Sequence, residues 1–191
     1  MKKVLLVDNY DSFSHTIANY FRVLKADVKI IQNDDPKLFA AIKKWNPQKI
    51  IISPGPKSPK ESGYSPKVIQ DFYKEKHILG ICLGMQIINE VFGGKTERSK
   101  EPVHGKTSEI QKVNQKDQSL FKNIKMPFVA ARYHSLECKN ISDDLVVTSE
   151  IDDKTIMSLK HKDYNLYGIQ FHPESFMSTT CKKIFENFLK L

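Results

Sequence analysis

Two glycines bracket a cysteine in Gly80-Ile81-Cys82-Leu83-Gly84, and the apolar period changes across it. His77-Ile78-Leu79-Gly80-Ile81 is a short apolar run of strand type, whereas residues 85–92 carry apolar side chains at helical spacing. A strand that turns directly into a helix through G-x-C-x-G admits few folds, because the missing Cβ atoms are what allow strand and helix to approach that closely. The arrangement is the sulfur counterpart of the nucleophile elbow of serine hydrolases, in which a tight, strained turn pushes the nucleophile outward. Free N–H groups at the helix start favour thiolate over thiol. A buried structural cysteine is the alternative for any lone intracellular cysteine. Glycines on both sides of it, at a strand-to-helix joint, favour chemistry.

The rest of the first half alternates in the same way. Strand-like runs at residues 4–7, 28–31, 49–52 and 78–81 are separated by helical patterns at 14–25, 36–45 and 66–76. Such alternation implies a parallel sheet with helices on both faces. From about residue 95 the runs become strand-like and hairpin-connected, at 107–113, 128–132, 146–150, 155–159 and 166–171, before a closing amphipathic helix at 179–189. The expected fold is therefore α/β: an open, mainly parallel twisted sheet covered on both faces, with an antiparallel extension in the second half. A chain of 191 residues without linkers or repeats is expected to form one domain over 1–191.

A cysteine nucleophile needs a base, and Phe171-His172-Pro173-Glu174-Ser175 supplies one. Proline biases the residue before it toward extended geometry, and in an extended segment His172 and Glu174 share a face. A carboxylate so placed can hold the imidazole tautomer and leave the other ring nitrogen for a thiol. Sites in open parallel sheets lie beyond the carboxyl ends of the strands. Residues 8–13, 54–56, Cys82 and His172 all follow predicted strands.

Together with Ser53-Pro54-Gly55-Pro56, Asp8-Asn9-Tyr10-Asp11-Ser12-Phe13, His104-Gly105-Lys106 and Arg132-Tyr133-His134-Ser135-Leu136, these motifs resemble the class I, triad-type glutamine amidotransferases over nearly the whole chain, in family order. The opening motif and the Arg132–Leu136 segment resemble most the glutaminase subunits of anthranilate synthase and aminodeoxychorismate synthase. The resemblance implies hydrolysis of the glutamine side-chain amide, with Cys82 as nucleophile, His172 as acid and base, and Glu174 orienting His172. It implies an oxyanion hole from the backbone N–H groups of Gly55 and Leu83, and contacts to bound L-glutamine from Gly55, Gln86, Ser135 and Leu136. No cofactor or metal is called for.

The resemblance also implies a partner, a chorismate-binding synthase subunit that receives the ammonia and makes anthranilate, 4-amino-4-deoxychorismate or both. Asn9, Tyr10, Asp11, Ser12 and Phe13 are the candidate interface; for Phe13, core packing is an equal reading. A stand-alone amide or γ-glutamyl hydrolase of the same fold is the alternative, and a non-catalytic binding subunit fits poorly with an intact Cys82, His172 and Glu174. The chain departs from the family pattern at Met85, where many relatives carry His, at Lys57, where Gly or Cys is common, and at Glu101-Pro102-Val103, where the family's usual hydrophobic residue directly before His104 is represented only by Val103, a mild case.

Composition narrows the setting. A net charge of +8 comes mostly from dispersed lysines, and this pattern reads as a solvated surface and not as a nucleic-acid site. No apolar run approaches a membrane span. The start Met1-Lys2-Lys3-Val4-Leu5-Leu6-Val7 superficially resembles a signal peptide, but its apolar run stops at Asp8. Cys82, Cys138 and Cys181 are too widely spaced for a disulfide framework or a metal cluster, which fits a reducing cytoplasm.

Overall fold

The computed structural model describes residues 1–113, 119–178 and 180–191, without the side chain of Cys181. Strands β1 (Lys3–Asp8), β2 (Asp27–Gln32), β3 (Lys49–Ile52) and β4 (His77–Ile81) alternate with helices α1 (Ser14–Val23), α2 (Leu38–Trp45) and α3 (Ser65–Phe72), and α4 (Leu83–Val91) leaves the elbow. There follow β5 (Lys95–Arg98), β6 (Lys106–Lys112), β7 (Phe128–Arg132), β8 (Leu136–Lys139), β9 (Leu145–Glu150), β10 (Ile156–His161), β11 (Leu166–Ile169) and α5 (Cys181–Lys190).

The main sheet runs β2-β1-β3-β4-β11-β10-β9-β6-β7. The first five of these are mutually parallel, and the remaining pairings are antiparallel. This is the expected parallel body with an antiparallel extension. Alternation along each strand divides the core in two. Val4, Leu6, Ile51, Leu79 and Ile81 face α1 and α5, where they pack with Phe21, Phe185 and Phe188. Leu5, Val7, Ile50, Ile52 and Ile78 face α2, α3 and α4. The expectation of helices on both faces holds because the strand residues are apolar on both sides.

Several boundaries differ from the sequence reading. The first helix stops at Val23, and Lys25 just beyond it takes a left-handed φ of 64°. The second helix begins two residues after Pro36, at Leu38. The last strand ends at Ile169 and not at Phe171. Residue 179, the expected start of the closing helix, lies outside the described residues. Pairing of β5 with β8 in a separate two-stranded sheet was not anticipated. Among the described residues, no helix is long and apolar enough to cross a membrane.

The topology fixes where ligands can bind. The chain leaves β1 toward β2 on one side and returns to β3 on the other, so the carboxyl ends of β1 and β3 frame a crevice. Asn9 ties its walls together. Its backbone N–H donates to Ser53 Oγ at 2.8 Å and its Nδ2 donates to the Ser53 carbonyl at 2.8 Å. Its Oδ1 accepts from Asn33 Nδ2 at 2.9 Å and Ser65 Oγ at 2.7 Å. A buried polar side chain with its bonds made is a rigid crosslink.

Candidate active site

Cys82 joins β4 to α4 with φ 53° and ψ −103°, a conformation that costs a non-glycine residue on the order of 1–3 kcal/mol. The fold enforces it from both sides. The Cys82 N–H donates to the Ile169 carbonyl at 2.7 Å, while the Cys82 carbonyl accepts from Met85 N at 3.0 Å and Gln86 N at 3.2 Å. A Cβ on Gly80 would stand 2.4 Å from the Gly84 carbonyl group, and one on Gly84 would stand 2.3 Å from the Ile52 oxygen. Both glycines are thus required by close backbone approach, as the elbow reading predicts.

His172 is brought to the same place by β7: its N–H donates to the Ala131 carbonyl at 2.9 Å, in an isolated antiparallel bridge. Residues 172–175 then turn, with Ser175 N donating to the His172 carbonyl at 3.3 Å. His172 and Glu174 therefore meet across a turn and not along an extended segment. The contact itself is as expected, Nδ1 to Oε1 at 2.6 Å with both side chains buried. Burial alone would push the His172 pKa down. The charges of the Cys82 sulfur and Glu174 outweigh it and hold the ring well above its ordinary value. Among the described residues, His172 Nε2 is buried without a hydrogen-bond partner of ordinary geometry. Aromatic edges enclose the ring, Tyr133 at 5.0 Å and Phe13 at 5.7 Å between centroids.

Two hollows meet at Cys82, which is 6% exposed. The first, of about 220 Å³, is lined by Gly55, Cys82, Leu83, Gln86, Ser135 and Leu136 among others. It brings together every residue expected to hold substrate. Leu83 N–H is the first of α4 and has no carbonyl partner within its helix. Gly55 lies against it, since a Cβ there would come within 2.9 Å of Leu83 Cδ2. Gln86 Nε2 donates to the Leu136 carbonyl at 3.0 Å and to Gln170 Oε1 at 3.1 Å. The carbonyls of His134 and Ser135 accept from Val103 N and Ser99 N at 3.0 and 2.8 Å. With those acceptors engaged, the segment presents mainly donors to a ligand.

The second hollow, about 400 Å³, lies on the His172 side and is lined by Tyr10, Asp11, Phe13, Cys82, Tyr133 and His172 among others. Tyr10 is 60% exposed, Ser12 is exposed, and Asp11 and Phe13 are half-buried. Burial raises the Asp11 pKa, an effect that the bond from Phe13 N and the His172 charge partly offset. Asn9 is different from the other four. Its buried crosslink shapes the loop from inside, so it can meet a partner only through that loop.

The departures at Met85 and Lys57 separate cleanly, and the third puts Pro102 and Val103 in the wall of the first hollow. Met85 is fully buried against Gly168 of β11 and lines neither hollow. Lys57 lines the first hollow, is exposed, and pairs loosely with Glu61 at 3.6 Å. Sequence reasoning passed over Tyr133 as a wall of both hollows and Gln170 as a neighbour of the sulfur. Tyr133 stood in a quoted motif and Gln170 in the expected strand at 166–171, but only packing assigns them a position. It also passed over Phe176, 94% exposed just after the Glu174 turn.

Known proteins give the same picture. The family model for glutamine amidotransferase class-I matches residues 5–191. The chain is 45% identical to anthranilate synthase component 2 of Methanocaldococcus jannaschii, over 93% of this chain and 87% of that one. It is 40% identical to anthranilate synthase component 2 of Pseudomonas putida, over 98% and 96%. It is also 40% identical to the bifunctional protein TrpGD of Thermotoga maritima, covering all of this chain but only 32% of that longer protein. Among solved structures, a proposed GMP synthase subunit from Thermoplasma acidophilum superposes with TM-score 0.88 at 26% identity, over 100% and 93% of the two chains. With the elbow, the buried histidine–glutamate pair and the cavity between them in place, this chain belongs to the class-I glutamine amidotransferase family.

Proposed function

We propose that this chain is the glutaminase subunit of a two-part synthase, hydrolysing L-glutamine at Cys82 and passing ammonia to a chorismate-using partner. One observation carries the reading: the buried His172 imidazole is held by Glu174 through Nδ1 at 2.6 Å, while the charge of the Cys82 sulfur and a hydrogen bond with it raise the ring's pKa. An imidazole fixed by a carboxylate on one side and coupled to a thiol on the other is the arrangement that proton transfer to and from a nucleophilic sulfur needs.

In this mechanism the Cys82 thiolate attacks the substrate's side-chain amide carbon. The developing oxyanion accepts from the N–H groups of Leu83 and Gly55, and losing one such donor costs about 10²–10³ in turnover. His172 gives the Nε2 proton to the amide nitrogen, the C–N bond breaks, and ammonia leaves a γ-glutamyl thioester on Cys82. His172 then takes a proton from water, whose oxygen attacks the thioester carbon, and glutamate departs as the thiolate returns. Glu174 keeps the imidazole in the tautomer both steps need. Glutamine lies in the smaller hollow, with its α-carboxylate toward the donors of Ser135 and Leu136 and Gln86 in contact.

Ammonia is released on the His172 side, into the larger hollow. A partner covering the loop of Tyr10, Asp11, Ser12 and Phe13 would keep it from water, where it would be protonated and lose its nucleophilicity. Two of the most exposed aromatic side chains, Tyr10 and Phe176, offer anchors of the kind that dominate interfaces. Relatives named anthranilate synthase component 2 favour anthranilate as the product; one glutaminase serving a second, 4-amino-4-deoxychorismate-forming partner is compatible with the same site.

Reconstitution with the synthase subunit of the same source tests this. Amination of chorismate should require both chains when glutamine is the donor and only the synthase when ammonium is supplied. Full glutaminase turnover by this chain alone, unaffected by the synthase, would favour the stand-alone hydrolase instead.

A further inference from the structure

Gln170 follows β11, is fully buried, and is absent from the mechanism above. Its Nε2 lies 3.4 Å from Cys82 Sγ, and its Oε1 accepts from Gln86 Nε2 at 3.1 Å. Amide oxygen and nitrogen are hard to tell apart by position, so which end faces the sulfur must be settled by partners. The Leu136 carbonyl, an obligate acceptor that also takes a bond from His134, settles it. A guanidinium can only donate, so Arg132 Nε, 3.0 Å from His134 Nε2, makes that ring nitrogen the acceptor. The His134 proton is then on Nδ1, which donates to the Leu136 carbonyl at 2.9 Å. Burial and the Arg132 charge keep His134 neutral by lowering its pKa to about 4, consistent with this tautomer.

The Leu136 carbonyl can only accept, so the Gln86 atom 3.0 Å from it is the NH₂ group. The second hydrogen of that group points at Gln170, whose facing atom must be oxygen. The Gln170 NH₂ group is thereby left for Cys82. Each link is buried or half-buried, so solvent competes weakly and the polarity of the whole series is fixed.

We propose that Gln170 is a catalytic residue of this chain, donating an Nε2–H to the Cys82 sulfur and stabilising it as thiolate, with the direction of donation set by the Leu136 carbonyl through Gln86. This rests on the reading of Cys82 as nucleophile and adds a donor distinct from the oxyanion hole, which serves the substrate oxygen. The series also ties the nucleophile to Gln86, a wall of the glutamine cavity, so substrate contact and sulfur activation share one rigid unit.

Gln170→Glu and Gln170→Met separate the two halves of this role. An ionised Glu still accepts from Gln86 but offers nothing to the sulfur; Met offers neither. The probe is iodoacetamide, with Cys82 alkylation followed by mass spectrometry across pH 5–9 on the folded protein. For Gln170→Met, which removes the donor and adds no charge, we expect the alkylation profile to move to higher pH by about one unit, on the order of a tenfold slower reaction at pH 7, and this variant decides the test; in Gln170→Glu repulsion between carboxylate and thiolate adds to the shift. Glutaminase kcat should fall about tenfold or more, with KM rising further in Gln170→Met than in Gln170→Glu.

A purely packing role would lower stability or raise KM and leave the alkylation profile where it is; that result overturns the proposal. Should neither variant fold, the wild-type protein decides: the Gln170 side-chain N–H resonances must shift in step with Cys82 alkylation, and a pH-invariant signal overturns the proposal equally. Glutamine-dependent turnover surviving in Cys82→Ser would instead remove the underlying nucleophile assignment. An unmoved profile beside an inactive Cys82→Ser would sink only the role of Gln170.

Discussion

Cys82→Ser is expected to lower glutamine-dependent amination by at least about 10³-fold while leaving ammonium-dependent amination by the partner unchanged. The substitution exchanges one atom. Its backbone bonds to Ile169, Met85 and Gln86 are made by main-chain atoms and persist, and serine carries the same φ penalty at 53°. What it removes is the nucleophile available at neutral pH, since a hydroxyl ionises far less readily than a thiol. Folding and docking should therefore be intact, and the ammonium control measures this directly. Parallel loss of both activities would mean that the substitution disturbs the complex and not the chemistry.

Gly84→Ala should be the most damaging single-methyl change in the elbow. Its Cβ would lie 2.3 Å from the Ile52 oxygen and 3.1 Å from the Ile52 Cβ, all on a buried strand end. Neither contact is a flexible side-chain tip, so α4 has to withdraw from β3 by roughly 1 Å, a displacement that costs about 10²-fold when it falls on a catalytic group. Overpacking of this kind also costs about 3 kcal/mol of stability. Denaturant unfolding and turnover per folded molecule should both register it. Unchanged stability would mean that α4 and β3 pack more loosely than these distances indicate.

The parallel half of the fold was legible because β1, β3 and β4 are short, continuous apolar runs buried on both faces, and the helices between the strands have clear amphipathic stripes. What failed was pairing between distant segments. Lys95–Arg98 is polar and mostly exposed, so nothing in its pattern marks it as the partner of Leu136–Lys139. The place of β11, between β4 and β10, also has no local signal. It decides the site, however, because it sets the Ile169 carbonyl against Cys82 and carries Gln170 to the sulfur.

The site follows the same division. Cys82, His172 and Glu174 were readable because each is marked by its own neighbours: two glycines, a proline, and a carboxylate two residues away. Asn9 was read as surface and is an internal crosslink, since the hydroxyls and amides that hold it come from Asn33, Ser53 and Ser65. Phe13, for which core packing and a partner interface were both considered, is half-buried against Tyr133 and His172 and also lines the open hollow. Long-range side-chain geometry supplies such assignments, and no local pattern encodes it.

In the proposed mechanism Cys82 alone among the cysteines is an activated nucleophile, facing the cavity proposed to hold glutamine. Reaction with a glutamine analogue carrying an electrophilic ketone in place of the side-chain amide, followed by peptide mass spectrometry, tests it most directly. One adduct per chain is expected, on Cys82, suppressed by excess glutamine, with Cys138 unmodified because burial raises its pKa and seals it from solvent. Equal labelling of Cys82, Cys138 and Cys181, or labelling of Cys82 that glutamine does not suppress, would contradict it.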